Sequence, residues 1–174
     1  VLSGHEYPIV SGNAVKTLDR KVELIEDGKT LRETHRIISG DAGGHVLTWA
    51  LTTEQKIQAA KQKQGLFSRK NKKPTVALSA EKTTVEKVFD LHAYPGCGVS
   101  ALAATGEGHF WTGGLKHHSE VKLWAPQGEC IKTVDRVWGI VQTLQPVFPN
   151  KSVFISLGES AQQVSCFYIS SCEK

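Results

Sequence analysis

The sequence predicts an all-β fold assembled from repeated four-stranded antiparallel units, and three observations carry that prediction. First, Ile38 to Trp49 and Trp111 to Trp124 read alike. Each is an apolar run ending in Ser39-Gly40 or Thr112-Gly113, then a polar turn containing glycine, then an alternating strand closed by tryptophan, which is a β-hairpin written twice. Second, the spacing is regular: Thr112 to Ser156 is 44 residues, and Ser39 to Thr112 is 73, or 50 once the 23 residues from Thr52 to Pro74 are set aside. Both distances fall near the ~40 to 50 residues of four-stranded propeller repeats. Third, short alternating runs bounded by turn residues recur to the end of the chain.

Taken in order, Lys21 to Ile25 is a partly alternating run followed by the turn Glu26-Asp27-Gly28-Lys29, as suits a half-buried strand. His35 to Ser39 and Val46 to Leu51 pair across the glycine-rich turn between them, and Val85 to Leu91 supplies a fourth strand. The cycle restarts with Gly98 to Ala104, a turn at Thr105 to Gly108, His109 to Thr112, Val121 to Trp124, a turn at Pro126 to Gly128, and Cys130 to Val134. A third pass runs through Trp138 to Leu144, Ser152 to Ser156 and Val164 to Ile169, then stops one strand short. The expected units are therefore about 20–91, about 98–135 and about 138–170, the last sharing a strand from residues 1–5 or from a partner. Thr52 to Pro74 reads as an insertion between the third and fourth strands of the first unit.

These residues resemble the WD-repeat β-propellers. In that family a Gly-His pair precedes the first strand, a Ser/Thr-Gly ends the second and Trp-Asp closes the third. Here Gly4-His5 leads to Ser39-Gly40 and Trp49-Ala50, and Leu91-His92 leads to Thr112-Gly113 and Trp124-Ala125. The resemblance implies a buried hydrogen-bond network of His5, Ser39 and Trp49 in one blade, with Asp41 standing in for the turn aspartate, and of His92, Thr112 and Trp124 in the next. Its physical sense does not depend on the name, since a buried indole N–H and a buried imidazole each need a partner and each can orient the other. Trp-Asp has become Trp-Ala in both copies, and Phe167-Tyr168 stands where the third tryptophan would be. About three blades, the last degenerate, make an incomplete ring, because propellers close with ~4 or more. The resemblance thus implies that another copy, another chain or further sequence completes it.

Composition narrows the function classes. The 174 residues are 40% hydrophobic and 22% charged, as in an ordinary globular chain, with no apolar stretch near the ~20 residues of a membrane span. No signal-peptide layout opens the chain, so the expected location is the cytoplasm or nucleus. The absence of methionine points to removal of the first residue or to a piece of a longer protein. Cys97, Cys130, Cys166 and Cys172 form no Cys-x-x-Cys pair, against a zinc site or redox dithiol. The net charge of +4 is local: Thr52 to Pro74 carries +6, leaving −2 elsewhere.

Candidate chemistry is sparse. Gly40 to Gly44 and Gly106 to Gly108 lie between strands and lack the Lys-Ser/Thr of a phosphate loop, so they read as hairpin turns. His109, His117 and His118 with Glu107 and Glu120 are the densest group of metal-ligand types, yet adjacent strand residues point to opposite faces and an exposed polar loop is the simpler reading. Cys97, after Pro95-Gly96, has no nucleophile motif around it. No catalytic residue, metal or cofactor is therefore assigned. The basic insertion is the most function-like element. Lys56 to Gln64 is built of good helix formers and predicts a short helix. Lys61, Lys63, Phe67, Arg69, Lys70, Lys72 and Lys73 are the candidate partner-binding residues, with Ser68 a possible phosphorylation site that would subtract charge.

The expected function is a non-catalytic scaffold mediating interaction between proteins, through short propeller loops and the insertion. The alternative is a nucleic-acid or anionic-lipid binder working through residues 56–73.

Overall fold

The structure, a computed structural model, describes residues 4–9, 15–59, 76–116, 120–135, 137–147, 151–160 and 163–170. Within them the chain is built of strands, all pairing antiparallel. The first sheet comprises β1 (Val15–Leu24), β2 (Thr30–Gly40), β3 (His45–Ala59) and β4 (Val76–His92), in that order. The second has β5 (Val99–Ala104), β6 (Phe110–Gly114), β7 (Val121–Trp124) and β8 (Cys130–Val134). The third has β9 (Ile140–Val147), β10 (Ser152–Ser160) and β11 (Gln163–Ile169), with β10 central. No helix among the described residues is long and apolar enough to cross a membrane.

Alternation along the strands places the second sheet between the other two. One face, with Leu102, Phe110 and Trp124, packs against Leu18, Ile38 and Val46 of the first sheet. The opposite face, with Ala101, Trp111 and Leu123, packs against Val141, Val153 and Ile155 of the third. Burying each large apolar side chain contributes roughly 1.5 to 3 kcal/mol, so two such interfaces outweigh any surface ion pair in holding the sheets together. The leading strands adjoin: β5 meets β1 on one side and β9 on the other.

Two glycines permit that approach. A Cβ on Gly40 would collide with Val99 at the start of β5, and a Cβ on Gly113 would collide with Val141 of β9. These are the glycines of Ser39-Gly40 and Thr112-Gly113, so the repeated dipeptide marks where each sheet is crossed by the first strand of the next.

The structure corrects the reading of the basic segment. Residues 52–59 form the outer half of β3, and Lys56 to Ala59 are strand, not helix. Lys56 is held on both sides, opposite Thr30 of β2 and Ser79 of β4, and the β3–β4 pairing continues to Ala59 opposite Val76. Helix propensity, worth at most about 0.7 kcal/mol per ordinary residue, loses to backbone pairing on two edges. β1 likewise begins before the expected Lys21, at Val15. Lys61, Lys63, Phe67, Ser68, Arg69, Lys70, Lys72 and Lys73 lie outside the described residues, as do His117, His118 and Val1 to Ser3.

Candidate functional site

The first buried network is centred on Ser39 at the end of β2. Trp49 Nε1–H donates to Ser39 Oγ at 3.1 Å, and His5 Nε2 lies 2.7 Å from the same oxygen. His5 Nδ1 meets Asp41 Oδ2 at 2.8 Å, and Asp41 Oδ1 accepts the backbone N–H groups of Gly43 at 2.9 Å and His45 at 3.0 Å. The indole can only donate, so Ser39 Oγ accepts from it and keeps its own proton free to donate to His5 Nε2. In that arrangement His5 Nδ1–H donates to the Asp41 carboxylate, and every member of the network has a partner. Asp41, 1% exposed, is stabilised by those three donors, and it fixes the turn Asp41 to Gly44 from within.

The second sheet repeats the arrangement with a different ring as the third member. Trp124 Nε1–H donates to Thr112 Oγ1 at 2.9 Å, and the Tyr94 hydroxyl lies 2.8 Å from the same oxygen. His92, the residue expected there, is not a member. Its ring stacks on His45 with centroids 4.3 Å apart and planes inclined by 6°, because the β3–β4 register sets the two residues opposite each other. The chain must travel two residues further, through the buried Ala93, before a side chain reaches the gap between the sheets. Tyr94 fills that position, and its hydroxyl also reaches Thr112 O at 2.9 Å and Glu120 O at 3.1 Å. Burial holds the Tyr94 phenol well above its ordinary range, despite the opposing hydrogen bond from Thr112, so it remains a donor.

Around Tyr94 three loops are tied to one another. Gly44 O accepts the N–H groups of Ala93 at 2.9 Å and Tyr94 at 3.2 Å, and Asp41 O accepts that of Val99 at 2.8 Å. Leu115 N–H donates to Gly98 O at 2.8 Å. Lys122 Nζ stands 5.0 Å over the Tyr94 ring, donates to Ala93 O at 3.1 Å and pairs with Glu120 at 2.7 Å. Gly44, at φ +88°, leaves no room for a side chain: a Cβ would strike the carbonyl oxygens of Tyr94 and Cys97. The turn Asp41 to Gly44, the segment Ala93 to Gly98 and Leu115 just beyond β6 thus form one platform, with Pro95, Gly96 and Lys116 at its surface.

Tyr94 and Lys122 escaped the sequence reading, and the signal that could have found Tyr94 is a phenol just ahead of Pro95-Gly96 in an otherwise apolar stretch. In the third sheet Ser156 lies in β10, opposite Thr143 and Cys166. Among the described residues no three of His, Cys, Asp and Glu gather as a metal site. His109 Nε2 instead lies 3.1 Å from Lys151 Nζ, which pairs with Glu107 at 3.5 Å. Cys97, Cys130 and Cys166 are free thiols.

The fold and these networks define an all-β protein of packed antiparallel sheets whose loops are fixed by buried tryptophan–hydroxyl pairs. No family model matches the chain, and no curated protein matches it by sequence.

Proposed function

We propose that the sheets are WD-like propeller blades of a non-catalytic scaffold, cytoplasmic or nuclear, that mediates interaction between proteins within a larger assembly. Both networks support the blade reading, since each joins the tryptophan of one strand to the Ser/Thr of its neighbour and to a side chain from the segment leading into the blade. One observation carries the functional part. β3 and β4 stay paired out to Ala59 and Val76, past the last β2–β3 pair at Thr30 and Lys56, so the paired strands lead directly into the sequence between those positions. That stretch holds Lys61, Lys63, Arg69, Lys70, Lys72 and Lys73 and no acid. Six cations in one short stretch without an acid favour docking to an acidic protein surface, with Phe67 as an apolar anchor.

The test compares the protein with its Lys70→Glu, Lys72→Glu, Lys73→Glu variant against an immobilised glutamate-rich peptide and a single-stranded RNA. The reading predicts peptide binding at physiological salt, lost at least ~10-fold in the variant. Tighter binding of RNA, with affinity falling steeply as salt rises, would replace it with the nucleic-acid alternative.

A further inference from the structure

Two histidines stand directly opposite each other where β3 begins and β4 ends. The His45 N–H goes to Asp41 Oδ1 and its C=O accepts the Asp41 N–H, each at 3.0 Å, so it exchanges no backbone bond with His92. His45 and His92 are therefore a non-hydrogen-bonded pair, the kind that brings opposed side chains closest. Their imidazole rings lie 4.3 Å apart with planes inclined by only 6°.

Stacking asks nothing of the ring nitrogens, yet the tautomer of His45 is set. Its Nδ1 lies 3.1 Å from Asp90 Oδ1, and an ionised carboxylate only accepts, so Nδ1 carries the proton and Nε2 keeps a lone pair. Among the described residues no hydrogen-bonding group meets that Nε2 or either nitrogen of His92. A carboxylate behind a histidine with a free lone pair is the outer-shell arrangement of a metal ligand. His45 also lines a hollow of about 140 Å³ with Glu6, Asp41, Lys87 and Asp90, three carboxylates against one ammonium, so the local field favours a cation.

We infer that His45 and His92 form a two-histidine site for a divalent transition-metal cation of the Zn(II) class, with Asp90 orienting His45 and the remaining positions open to water. Imidazole nitrogen suits Zn(II), Ni(II) and Cu(II), whereas Mg(II) and Ca(II) take oxygen. Zinc binds imidazole at ~2.0 to 2.1 Å, which sets two tetrahedral ligands ~3.3 Å apart, so the rings need to close by about 1 Å at their nitrogen edges. The ion would tie the first residue of β3 to the last of β4, beside the Gly44 carbonyl that holds the Ala93 and Tyr94 N–H groups. It would fasten from outside the junction that sets Tyr94 against Thr112, and it does not depend on the scaffold reading.

The probe is Zn(II) added to the whole chain, followed by calorimetric titration and amide hydrogen exchange. His45→Asn and His92→Asn should each weaken uptake by at least ~100-fold, because losing one arm of a chelate forfeits the intramolecular second step. Asp90→Asn should weaken it ~10-fold. His92 is exposed and outside both buried networks, so its variant keeps the test valid even where His45→Asn disturbs the turn. A His117→Asn, His118→Asn variant should bind as the native chain does, which separates the site from that adjacent pair. Exchange of the Ala93 and Tyr94 amides should slow by at least ~10-fold with Zn(II) in the native chain and stay unchanged in His92→Asn. Zn(II) affinity unaffected by His92→Asn overturns the inference, as does absence of binding at about 1 mM Zn(II). Equal affinity for Ca(II) also overturns it, by assigning the ion to the carboxylates of the hollow.

Discussion

The Tyr94 hydroxyl meets Thr112 Oγ1 at 2.8 Å, as the His5 imidazole meets Ser39 Oγ at 2.7 Å one sheet earlier. A phenol and an imidazole share the property the position requires, a polar atom on a flat ring that reaches a buried hydroxyl. Tyr94→Phe keeps the ring and removes the atom. It should cost about 1 to 3 kcal/mol, read as a fall in the thermal midpoint, whereas His92→Ala, at an exposed position, should stay within about 0.5 kcal/mol. Equal effects of the two changes would return His92 to the network.

The same phenol sets an alkaline limit. Its ordinary pKa is 10.0, and burial first of all raises it in the folded chain. The unfolded chain therefore releases this proton at a lower pH than the folded chain does. The contribution of Tyr94 is fully present below about pH 10 and is lost as pH rises above it, at a slope of at most about 1.4 kcal/mol per pH unit. Denaturant unfolding across that range should show the native chain losing stability faster than Tyr94→Phe.

Gly40 and Gly113 predict a matched pair. Alanine at either would drive a methyl group into Val99 or Val141 where one sheet passes over the next. Overpacking of this kind costs about 1 to 3 kcal/mol. The damage should be local: Gly40→Ala loosening the first interface and Gly113→Ala the second, as mapped by amide exchange in β5 and β9.

Asp41 is the more demanding position of the first network. Asp41→Ala would leave the Gly43 and His45 N–H groups and the His5 ring without their acceptor. Removing a buried acceptor shared by three donors should cost about 2 to 5 kcal/mol, measured by denaturant unfolding. Asp41→Asn, which keeps one acceptor oxygen, should recover part of it.

How far the sequence can be read follows from what each signal depends on. Ser39-Gly40 with Trp49 and Thr112-Gly113 with Trp124 were legible because hydroxyl, glycine and indole each answer a separate local need. Tyr94 was not, because His92 stands at a plausible spacing and only the packing between sheets reveals which of the two side chains reaches Thr112. The outer half of the β3–β4 ribbon was hidden for another reason. Residues 82–88 are exposed, so no alternation of apolar and polar residues marks the strand. Lys56 to Ala59 carried a local helix preference that pairing overrode.

The most direct measurement is the exchange rate of the tryptophan indole N–H protons, followed by nuclear magnetic resonance in the native chain and in His5→Ala, Tyr94→Phe and His92→Ala. With two equivalent but independent networks, Trp49 and Trp124 exchange slowly in the native chain. His5→Ala then accelerates Trp49 alone, Tyr94→Phe accelerates Trp124 alone, and His92→Ala accelerates neither. Acceleration of Trp124 by His92→Ala, with Tyr94→Phe silent, would contradict the pairing of Tyr94 with Thr112 on which the equivalence of the two sheets stands.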